Sequence, residues 1–240
     1  MLPGLFITGT DTGVGKTVVA ATLAWSLARR RESFNYIKPV ETGIRNQQDL
    51  ETLSDAARVR AAGRLQEPLA EIVPFTFPEP LAPLLAARRQ GTVLERDELL
   101  AAVRRRISPE RLALVEGAGG LLAPLCPDYL VLDLIKELGL PVLVVSRTGL
   151  GAVNHALLTL RQLERENIEV LGLVANHVRS EPTVAEREFV SQLSEFAKVE
   201  VWGELPFLDC PPTRDRDWEK LSAALDLTAL TARTGLRKRP

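Results

Sequence analysis

Residues 6–17 read FITGTDTGVGKT, an apolar run that leads through a glycine-containing loop into a Gly-Lys-Thr triplet. A stretch with helical periodicity follows, so the free N–H groups at the start of that helix can hold phosphate. Lys16 can then reach the outer phosphates, and the Thr17 hydroxyl can bind Mg²⁺. The strict pattern GxxxxGK[ST] would place a glycine at Thr10, so this loop is a variant of it. The predicted nucleotide-binding residues of the loop are Gly13, Val14, Gly15, Lys16, Thr17 and Val18.

One residue of this loop carries the wrong charge for an anion. The stretch 11–17, DTGVGKT, resembles the KGGxGKT loop of partitioning ATPases and the nitrogenase iron protein, whose leading lysine reaches the nucleotide across a dimer. Asp11 stands in place of that lysine, and a carboxylate repels phosphate. The substitution disfavours a dimer that sandwiches ATP through this residue. It favours a cationic neighbour, such as an amine-bearing substrate.

The composition indicates one domain and excludes several partner classes. The chain has 240 residues, 45% of them hydrophobic, which is enough for a substantial core. Its 30 basic and 31 acidic residues nearly cancel, so we expect neither nucleic acid nor a membrane surface as partner. The N-terminal segment lacks the pattern of a signal peptide, and we expect a cytoplasmic protein. Cys126 and Cys210 lie far apart without a CxxC motif, which argues against a disulfide framework or a zinc site.

Short apolar runs alternate with helix-length periodic stretches along the chain. This rhythm predicts a single-domain α/β protein spanning residues 1–240. Together with the phosphate-binding loop it predicts a P-loop NTPase-like fold. Its central sheet is mostly parallel, with helices on both faces, and about 30 C-terminal residues are peripheral. The proline-rich segment 74–83 breaks the rhythm and is predicted as a loop, either a lid or pocket wall or a plain connector. The predicted strands are GLFITG, NYIKPV, LALVEG, PVLVVS, EVLGLVAN and VEVWGEL, and the predicted helices cover 17–31, 49–63, 95–107, 131–139 and 152–166.

Charged side chains stand where two of the other strands end. YIKPVETG puts Lys38 at the carboxyl end of a strand, the edge at which open α/β sheets bind ligands, although a surface lysine would give the same pattern. LALVEGAGG ends its strand in Glu116, which resembles a Walker B acid. Asp49 is either a third oxygen near the metal or a charge in the first turn of a helix.

Two further strand ends offer polar groups for a ligand. After PVLVVS, the turn Gly149-Leu150-Gly151 precedes a helix whose free N–H groups can hold a second anion, such as a carboxylate. His155 on that helix is interpreted as structural, since no nucleophile or metal ligand is placed beside it. Asn176 ends the strand in LGLVANHV, where an amide can both donate to and accept from an adenine edge.

The motifs GTDTGVGKT, YIKPVETG, LVEGAGG, GLGAVNHALLTL, LVANHV and WGELP, in this order and spacing, resemble those of dethiobiotin synthetase. The resemblance extends from the first strand to about Leu208. It implies an ATP-dependent ring closure in biotin synthesis. 7,8-Diaminononanoate and CO₂ give a carbamate, which attacks the γ-phosphate of ATP. The mixed anhydride then closes to the cyclic urea, with release of ADP and phosphate.

The same resemblance implies a role for each motif residue. Lys16 and Thr17 bind phosphate and Mg²⁺, while Thr12, Lys38 and Thr42 face the carbamate or γ-phosphate. Asp11 is assigned, as a hypothesis, to hold or deprotonate an ammonium of the diamine. The family forms homodimers in which one subunit helps to bind the substrate carboxylate of the other. The residues implied for that carboxylate are Gly149, Leu150, Gly151 and Asn154; those for the adenine end are Asn176 and Pro206; and those that complete the metal shell are Asp49 and Glu116.

Two other functions use the same loop. A partitioning or membrane-positioning ATPase finds support in the basic tail 227–240, LTALTARTGLRKRP. That tail lacks a bulky apolar face, however, and Asp11 counts against such an ATPase. A small-molecule kinase would share the loop and the metal site but would leave phosphate on its product.

Overall fold

The computed structural model describes residues 3–228 and 230, which form alternating strands and helices around one main sheet. Strands and helices are numbered here in chain order. The strands are β1 Gly4–Gly9, β2 Phe34–Ile37, β3 Val40–Thr42, β4 Phe75–Phe77, β5 Leu112–Glu116, β6 Pro124–Cys126, β7 Tyr129–Leu130, β8 Val142–Arg147, β9 Val170–Asn176 and β10 Val201–Leu205. The helices are α1 Lys16–Arg29, α2 Gln47–Thr52, α3 Asp55–Gly63, α4 Leu69–Ile72, α5 Pro83–Arg89, α6 Arg96–Arg104, α7 Val131–Leu138, α8 Ala152–Arg165, α9 Val184–Arg187, α10 Phe189–Phe196 and α11 Asp215–Ala223.

The main sheet has six strands in the order β10-β9-β8-β1-β5-β2, and every neighbouring pair is parallel. All six predicted strands belong to it, so the predicted fold class is confirmed. Strand β1 lies inside the sheet between β5 and β8, and all of its residues are buried. Since the strands run the same way, their carboxyl ends meet at one edge, and β1 delivers the glycine-containing loop to that edge.

Alternate residues of the inner strands pack into two apolar clusters, one on each face of the sheet. Leu5 and Leu114 point to the cluster that includes residues of α1, α3 and α11. Phe6 and Val115 point to the cluster that includes residues of α6, α7 and α8. Burial on both faces explains why these strands appear in the sequence as uninterrupted apolar runs.

The helix predicted over 49–63 is interrupted in the structure. Helix α2 ends at Thr52, and α3 begins at Asp55 after an extended Ser54. The Ser54 hydroxyl accepts a hydrogen bond from the N–H of Ala57, which is the contact of an N-cap residue. The break directs Asp55, as the first residue of a new helix, towards the carboxyl edge of the sheet.

The proline-rich segment 74–83 is not a central strand, as predicted, but it is also not a plain loop. Phe75–Phe77 pairs in parallel with Val40–Thr42 in a separate two-stranded sheet. Pro83 is the first residue of α5, a position where its fixed φ suits the helix and its missing N–H costs nothing. The segment therefore covers the connection that follows Lys38.

The end of the described chain returns to the first helix. Trp218 and Leu221 of α11 are buried in the same cluster as α1, and the indole N–H of Trp25 donates to Asp215. The tail residues 229 and 231–240 lie outside the described residues, and the assignment of 1–240 to one domain stays a prediction. Within the described part of the chain, no helix is long and apolar enough to span a bilayer.

Removing a core side chain should show how strongly the central sheet depends on its packing. Leu114 in β5 is 0% exposed, and Leu114→Ala should lower the free energy of unfolding by about 2–5 kcal/mol, through lost burial and a residual cavity. Leu158→Ala on α8, where the leucine is 62% exposed, is the control and should change stability by less than about 0.5 kcal/mol. Denaturant unfolding of both variants measures the difference. Equal losses would contradict this assignment of the core.

Candidate active site

The glycine-containing loop joins β1 to α1 at the carboxyl edge of the sheet. Gly13 and Gly15 have φ angles of 72° and 103°, in the left-handed region that glycine tolerates best. A Cβ on Gly15 would stand 2.2 Å from the side-chain nitrogen of Asn176, so any other residue would be strained at this φ and would displace the Asn176 amide. Gly15 is the N-cap of α1 and provides no capping side chain, which leaves the first N–H groups of the helix to an anion. The loop therefore fits a phosphate group.

The Lys16 side chain folds back over this loop. Its Nζ donates to the backbone carbonyl of Asp11 at 3.0 Å, and the residue is 7% exposed. Burial lowers the pKa of Lys16; the Glu116 charge opposes this effect, and the neighbouring Lys38 adds to it. A buried cation beside a second cation gains stability when an anion arrives, which is what a phosphate-binding lysine requires.

Lys38 is the cation of a buried ionic cluster and not a surface lysine. It is 4% exposed, and its Nζ donates to Glu116 at 2.8 Å and to Asp55 at 2.5 Å. Burial alone would lower the pKa of Lys38, but the charges of Glu116, Asp55 and Glu41 outweigh it and raise the pKa above its ordinary value. Lys38 is therefore a fixed positive charge at the end of β2.

Glu116, at the end of β5, is 0% exposed and receives three hydrogen bonds. Its Oε1 accepts from Thr17 Oγ1 at 2.8 Å and from Lys38, while its Oε2 accepts from Tyr36 OH at 2.7 Å. Burial, with the Glu116 charge, holds the pKa of Tyr36 well above its usual range, so the phenol remains a donor. Glu116 thus contacts the first turn of α1, the helix that follows the phosphate loop.

The structure brings Asp55, and not Asp49, to this cluster. Asp49 lies in the first turn of α2 and accepts hydrogen bonds from the backbone N–H and the Nε of Arg45, the latter at 2.8 Å. This corresponds to the first-turn interpretation of Asp49. Burial would raise the pKa of Asp55, but the charge and hydrogen bond of Lys38, together with the nearby Thr17 hydroxyl, hold it below its usual range. Asp55 is therefore a candidate oxygen ligand at this cluster, and the metal role of Asp49 stays a prediction.

The oxygen atoms gathered here suit a hard divalent cation. One hydroxyl and two carboxylates converge, from Thr17, Asp55 and Glu116. Mg²⁺ prefers oxygen ligands and is typically held by one or two carboxylates together with substrate phosphates. The residues present therefore fit Mg²⁺ beside the phosphate loop.

Glu41 fixes the start of α3, and sequence reasoning did not find it. Its carboxylate accepts from the backbone N–H groups of Asp55 at 2.5 Å and Ala56 at 3.4 Å. A carboxylate at a helix N-terminus also interacts favourably with the helix dipole. Glu41 stands directly before Thr42 in the YIKPVETG motif, which is the only signal that could have suggested a role.

The remaining loop residues assigned to substrate line the open side of the site. Asp11 and Thr12 are exposed, and Asp11 Oδ1 accepts from the Thr12 N–H at 2.7 Å. The turn after Glu116 approaches them, since a Cβ on Gly119 would lie 3.6 Å from Thr12 Oγ1. Thr42 is half-buried at the end of β3. Within the loop itself, Val14 is buried and Val18 is partly buried against the core.

Asn176 closes the other side of the loop. Its Nδ2 donates to the carbonyl of Val14 at 2.9 Å from the end of β9. Pro206 follows directly after β10, the next strand of the sheet. Between them, His177 contacts Glu204 at 3.0 Å and Thr148 at 3.3 Å. These residues form a continuous rim along the ends of β8, β9 and β10.

The turn after β8 and the Lys38 residue after β2 lie on opposite sides of β1 along the carboxyl edge of the sheet. Gly151 has a φ of 86° and is the N-cap of α8 without a capping side chain. Leu150 beside it is 91% exposed, and Asn154 on the first turn of α8 is also exposed. Gly149 accepts a hydrogen bond from the N–H of Ala152. The predicted second anion site is therefore open to solvent in a single chain.

An inner strand of the parallel sheet leads through a glycine-containing loop into a helix that begins with Lys-Thr, and the adjacent strand ends in an acid. This combination defines a P-loop NTPase. Solved structures agree at the level of the fold. A ParA family ATPase from Chlorobium tepidum superposes with a TM-score of 0.52 at 14% identity, covering 98% of each chain. The MinC:MinD cell division complex from Aquifex aeolicus gives a TM-score of 0.54 at 13% identity, covering 99% of this chain and 97% of that one.

Comparisons of sequence identify the family. Residues 3–210 match a family model described as an AAA domain. The ATP-dependent dethiobiotin synthetase of Bacillus velezensis is 37% identical over 207 residues, 85% of this chain and 86% of the relative. The enzyme of the same name from Anaeromyxobacter dehalogenans is 44% identical over 178 residues, 74% of this chain and 78% of the relative. The chain belongs to the ATP-dependent dethiobiotin synthetase family.

Loss of the Lys38 charge should destabilise the fold in a pH-dependent way. Lys38→Met leaves Glu116 buried without its cation and should cost about 3–5 kcal/mol near neutral pH. Lys38 holds the pKa of Asp55 below its usual range against the effect of burial, so without Lys38 burial should raise that pKa on folding. A carboxyl whose pKa is raised by folding destabilises the folded state at pH values above its unfolded pKa, because ionisation then favours the unfolded chain. Below its unfolded pKa the group is protonated in both states and has no effect. The deficit should therefore shrink towards about pH 4. Denaturant unfolding at the two pH values measures it.

The matched control for this experiment is Arg58→Met. Arg58 also pairs with Asp55, at 3.8 Å, but its side chain is 55% exposed. An exposed ion pair contributes at most about 1 kcal/mol, so this variant should remain close to wild type at both pH values. A Lys38→Met deficit that is small, or that does not change with pH, would contradict the buried ionic cluster.

Proposed function

We propose that this chain catalyses the ATP-dependent carboxylation and ring closure of 7,8-diaminononanoate with CO₂ to dethiobiotin, with release of ADP and phosphate. Membership in the dethiobiotin synthetase family supports the proposal. The observation that carries it in the structure is the convergence of Lys16, Lys38 and Glu116 beside the phosphate loop. Phosphoryl transfer needs positioning and charge neutralisation more than a covalent nucleophile, and these residues supply both.

Nucleotide binding is assigned to the loop and the strand ends around it. The N–H groups that begin α1 hold the phosphates, and Lys16 neutralises their charge. Mg²⁺, held by Thr17, Asp55 and Glu116, would supply further neutralisation of phosphate charge. Asn176 already donates through Nδ2 to Val14, so its Oδ1 is the atom assigned to accept from the adenine amino group, with Pro206 nearby.

The chemistry is assigned to the residues that border the phosphate loop. One amine of the substrate adds to CO₂ and loses a proton, which gives a carbamate. A carbamate oxygen attacks the γ-phosphorus and ADP departs. The second amine then attacks the carbamate carbon and expels phosphate, which closes the cyclic urea. Lys38, with Thr12 and Thr42, stabilises the negative charge that passes between the carbamate and the phosphoryl group.

Asp11 remains assigned to the amine side of the site. Its carboxylate is exposed at the open end of the loop, and the Lys16 ammonium donates to the backbone carbonyl of this residue and not to its side chain. The carboxylate is thus available to an ammonium of the diamine, which it would hold by charge or deprotonate.

We propose a homodimer in which the turn 149–151 of one subunit binds the substrate carboxylate of the other. The exposed Leu150 and Asn154 and the uncapped start of α8 support this proposal. Sedimentation velocity at micromolar concentration measures the assembly, and a monomer would contradict it.

A partitioning ATPase and a small-molecule kinase are not favoured, because sequence likeness joins the chain to dethiobiotin synthetases and similarity to ParA and MinD proteins is limited to the fold.

The test of the function is product formation with one component omitted at a time. The purified chain is incubated with the diamine, bicarbonate, Mg²⁺ and ATP, and ADP, free phosphate and the organic product are measured together. We expect a phosphate-free cyclic urea and equal amounts of ADP and phosphate only in the complete mixture. A stable phosphorylated product would indicate a kinase, and ATP hydrolysis independent of the diamine would indicate a switch ATPase.

The two aspartates near the site should differ sharply when neutralised. Asp55→Asn removes an oxygen assigned to Mg²⁺ and should lower kcat/KM for MgATP by a factor on the order of 10²–10³. Asp49→Asn, on the preceding helix, should remain within a few-fold of wild type, because its carboxylate binds Arg45. Steady-state kinetics with varied Mg²⁺ compare the two. The reverse order of effects would return the metal assignment to Asp49.

Neutralising Asp11 should impair use of the diamine without impairing nucleotide binding. Asp11→Asn should raise KM for the diamine while the affinity for a non-hydrolysable ATP analogue changes little, because the lost charge lies on the amine side. Asp209→Asn, an exposed aspartate beyond β10, is the charge-matched control. Calorimetric titration and kinetics in the diamine measure the two effects. A loss of nucleotide affinity with unchanged KM would assign Asp11 to the loop's own architecture.

A further inference from the structure

Tyr36 shares one face of the sheet with the residues of the ionic cluster. Side chains along a strand alternate between faces, so Tyr36 and Lys38 point the same way from β2 and its end. Tyr36 pairs with Leu114 of β5, and Glu116 lies two residues further along that strand on the same face. This register brings the phenol diagonally across to the carboxylate.

The two oxygens of the Glu116 carboxylate have different partners. Oε2 accepts from Tyr36 OH at 2.7 Å, in a position where both side chains are buried. Oε1 accepts from Thr17 at 2.8 Å and from Lys38 at 2.8 Å. With Oε2 held, the plane of the carboxylate is fixed, and Oε1 is directed to the helix that begins at the phosphate loop.

Nothing assigned so far to substrate, phosphate or metal uses Tyr36. The Glu116 carboxylate stands between the Tyr36 hydroxyl and Thr17, so Tyr36 acts on the loop through Glu116. A buried carboxylate oxygen that lost this donor would be left unsatisfied, which proteins rarely tolerate. Without this donor, nothing among the hydrogen bonds of Oε2 opposes rotation of the carboxylate, and Oε1 loses its fixed direction towards Thr17.

We infer that Tyr36 is a positioning residue for the metal site, which holds Glu116 in the orientation that binds a divalent cation together with Thr17. The inference rests on the proposed Mg²⁺-nucleotide site. Partners that orient a ligating carboxylate commonly affect metal affinity about 10–100-fold without touching the metal. Tyr36→Phe, which removes only the hydroxyl, should therefore weaken the metal and leave the phosphate loop intact.

The chain provides a matched control, because it contains two tyrosines and both donate to a glutamate. Tyr129 of β7 donates through its hydroxyl to Glu137, near the end of α7, at 3.3 Å, and it packs in the cluster on the opposite face of the sheet from Tyr36. Wild type, Tyr36→Phe and Tyr129→Phe would be compared without diamine or bicarbonate. Calorimetry measures the affinity for a non-hydrolysable ATP analogue in EDTA, and electron paramagnetic resonance measures Mn²⁺ binding to the analogue complex. Thermal unfolding checks each fold.

We expect Tyr36→Phe to weaken Mn²⁺ binding about 10–100-fold, with metal-free analogue affinity close to wild type. Tyr129→Phe should change neither quantity. Unchanged Mn²⁺ affinity in Tyr36→Phe would overturn the positioning role, and so would an equal loss of metal-free analogue affinity, which would indicate general damage to the loop. A wild-type chain that binds no metal with the analogue would overturn the metal site itself and the role of Tyr36 with it.

Discussion

The ion pair between Lys38 and Glu116 is the interaction on which the site depends. It joins the carboxyl ends of β2 and β5, two neighbouring strands, in a place from which water is excluded. Burial of two charges is costly unless each is paired and also hydrogen-bonded, and Glu116 meets this condition through Thr17 and Tyr36. The arrangement therefore ties the end of the sheet to the first turn of α1, where the phosphate loop ends.

The same requirement explains the short helices that follow β3. Lys38 contacts a second carboxylate, that of Asp55, which is the first residue of α3. Ser54 and Glu41 both bind N–H groups of the first turn of α3 and fix its start. The break between α2 and α3 thus interrupts a regular helical pattern and leaves Asp55 in contact with Lys38. Functional sites commonly show such a conflict between local pattern and structure.

Different parts of this structure were accessible from sequence to different degrees. The six strands of the main sheet could be predicted, because burial on both faces makes each an uninterrupted apolar run such as 112–116. The position of Asp55 could not, because the start of α3 depends on Glu41, fourteen residues earlier in the chain. Ser54 followed by Asp55 was a local capping signal, but the helical periodicity of 49–63 concealed it. The pairing of Phe75–Phe77 with β3 is also a contact between distant segments that periodicity does not encode.

The charges of the site explain why metal and nucleotide should bind together. Lys38 lies among the carboxylates of Glu116, Asp55 and Glu41, and Lys16 beside it interacts with Glu116, Asp55 and Asp11. These carboxylates outnumber the two ammonium groups, so full ionisation leaves a negative excess. A triphosphate alone would add to that excess, and a divalent cation would offset it. Each therefore reduces the electrostatic cost of the other in a region of low dielectric constant. Lys38 is already compensated by its carboxylates, whereas burial lowers the pKa of Lys16, so Lys16 is the cation that gains most when phosphate arrives.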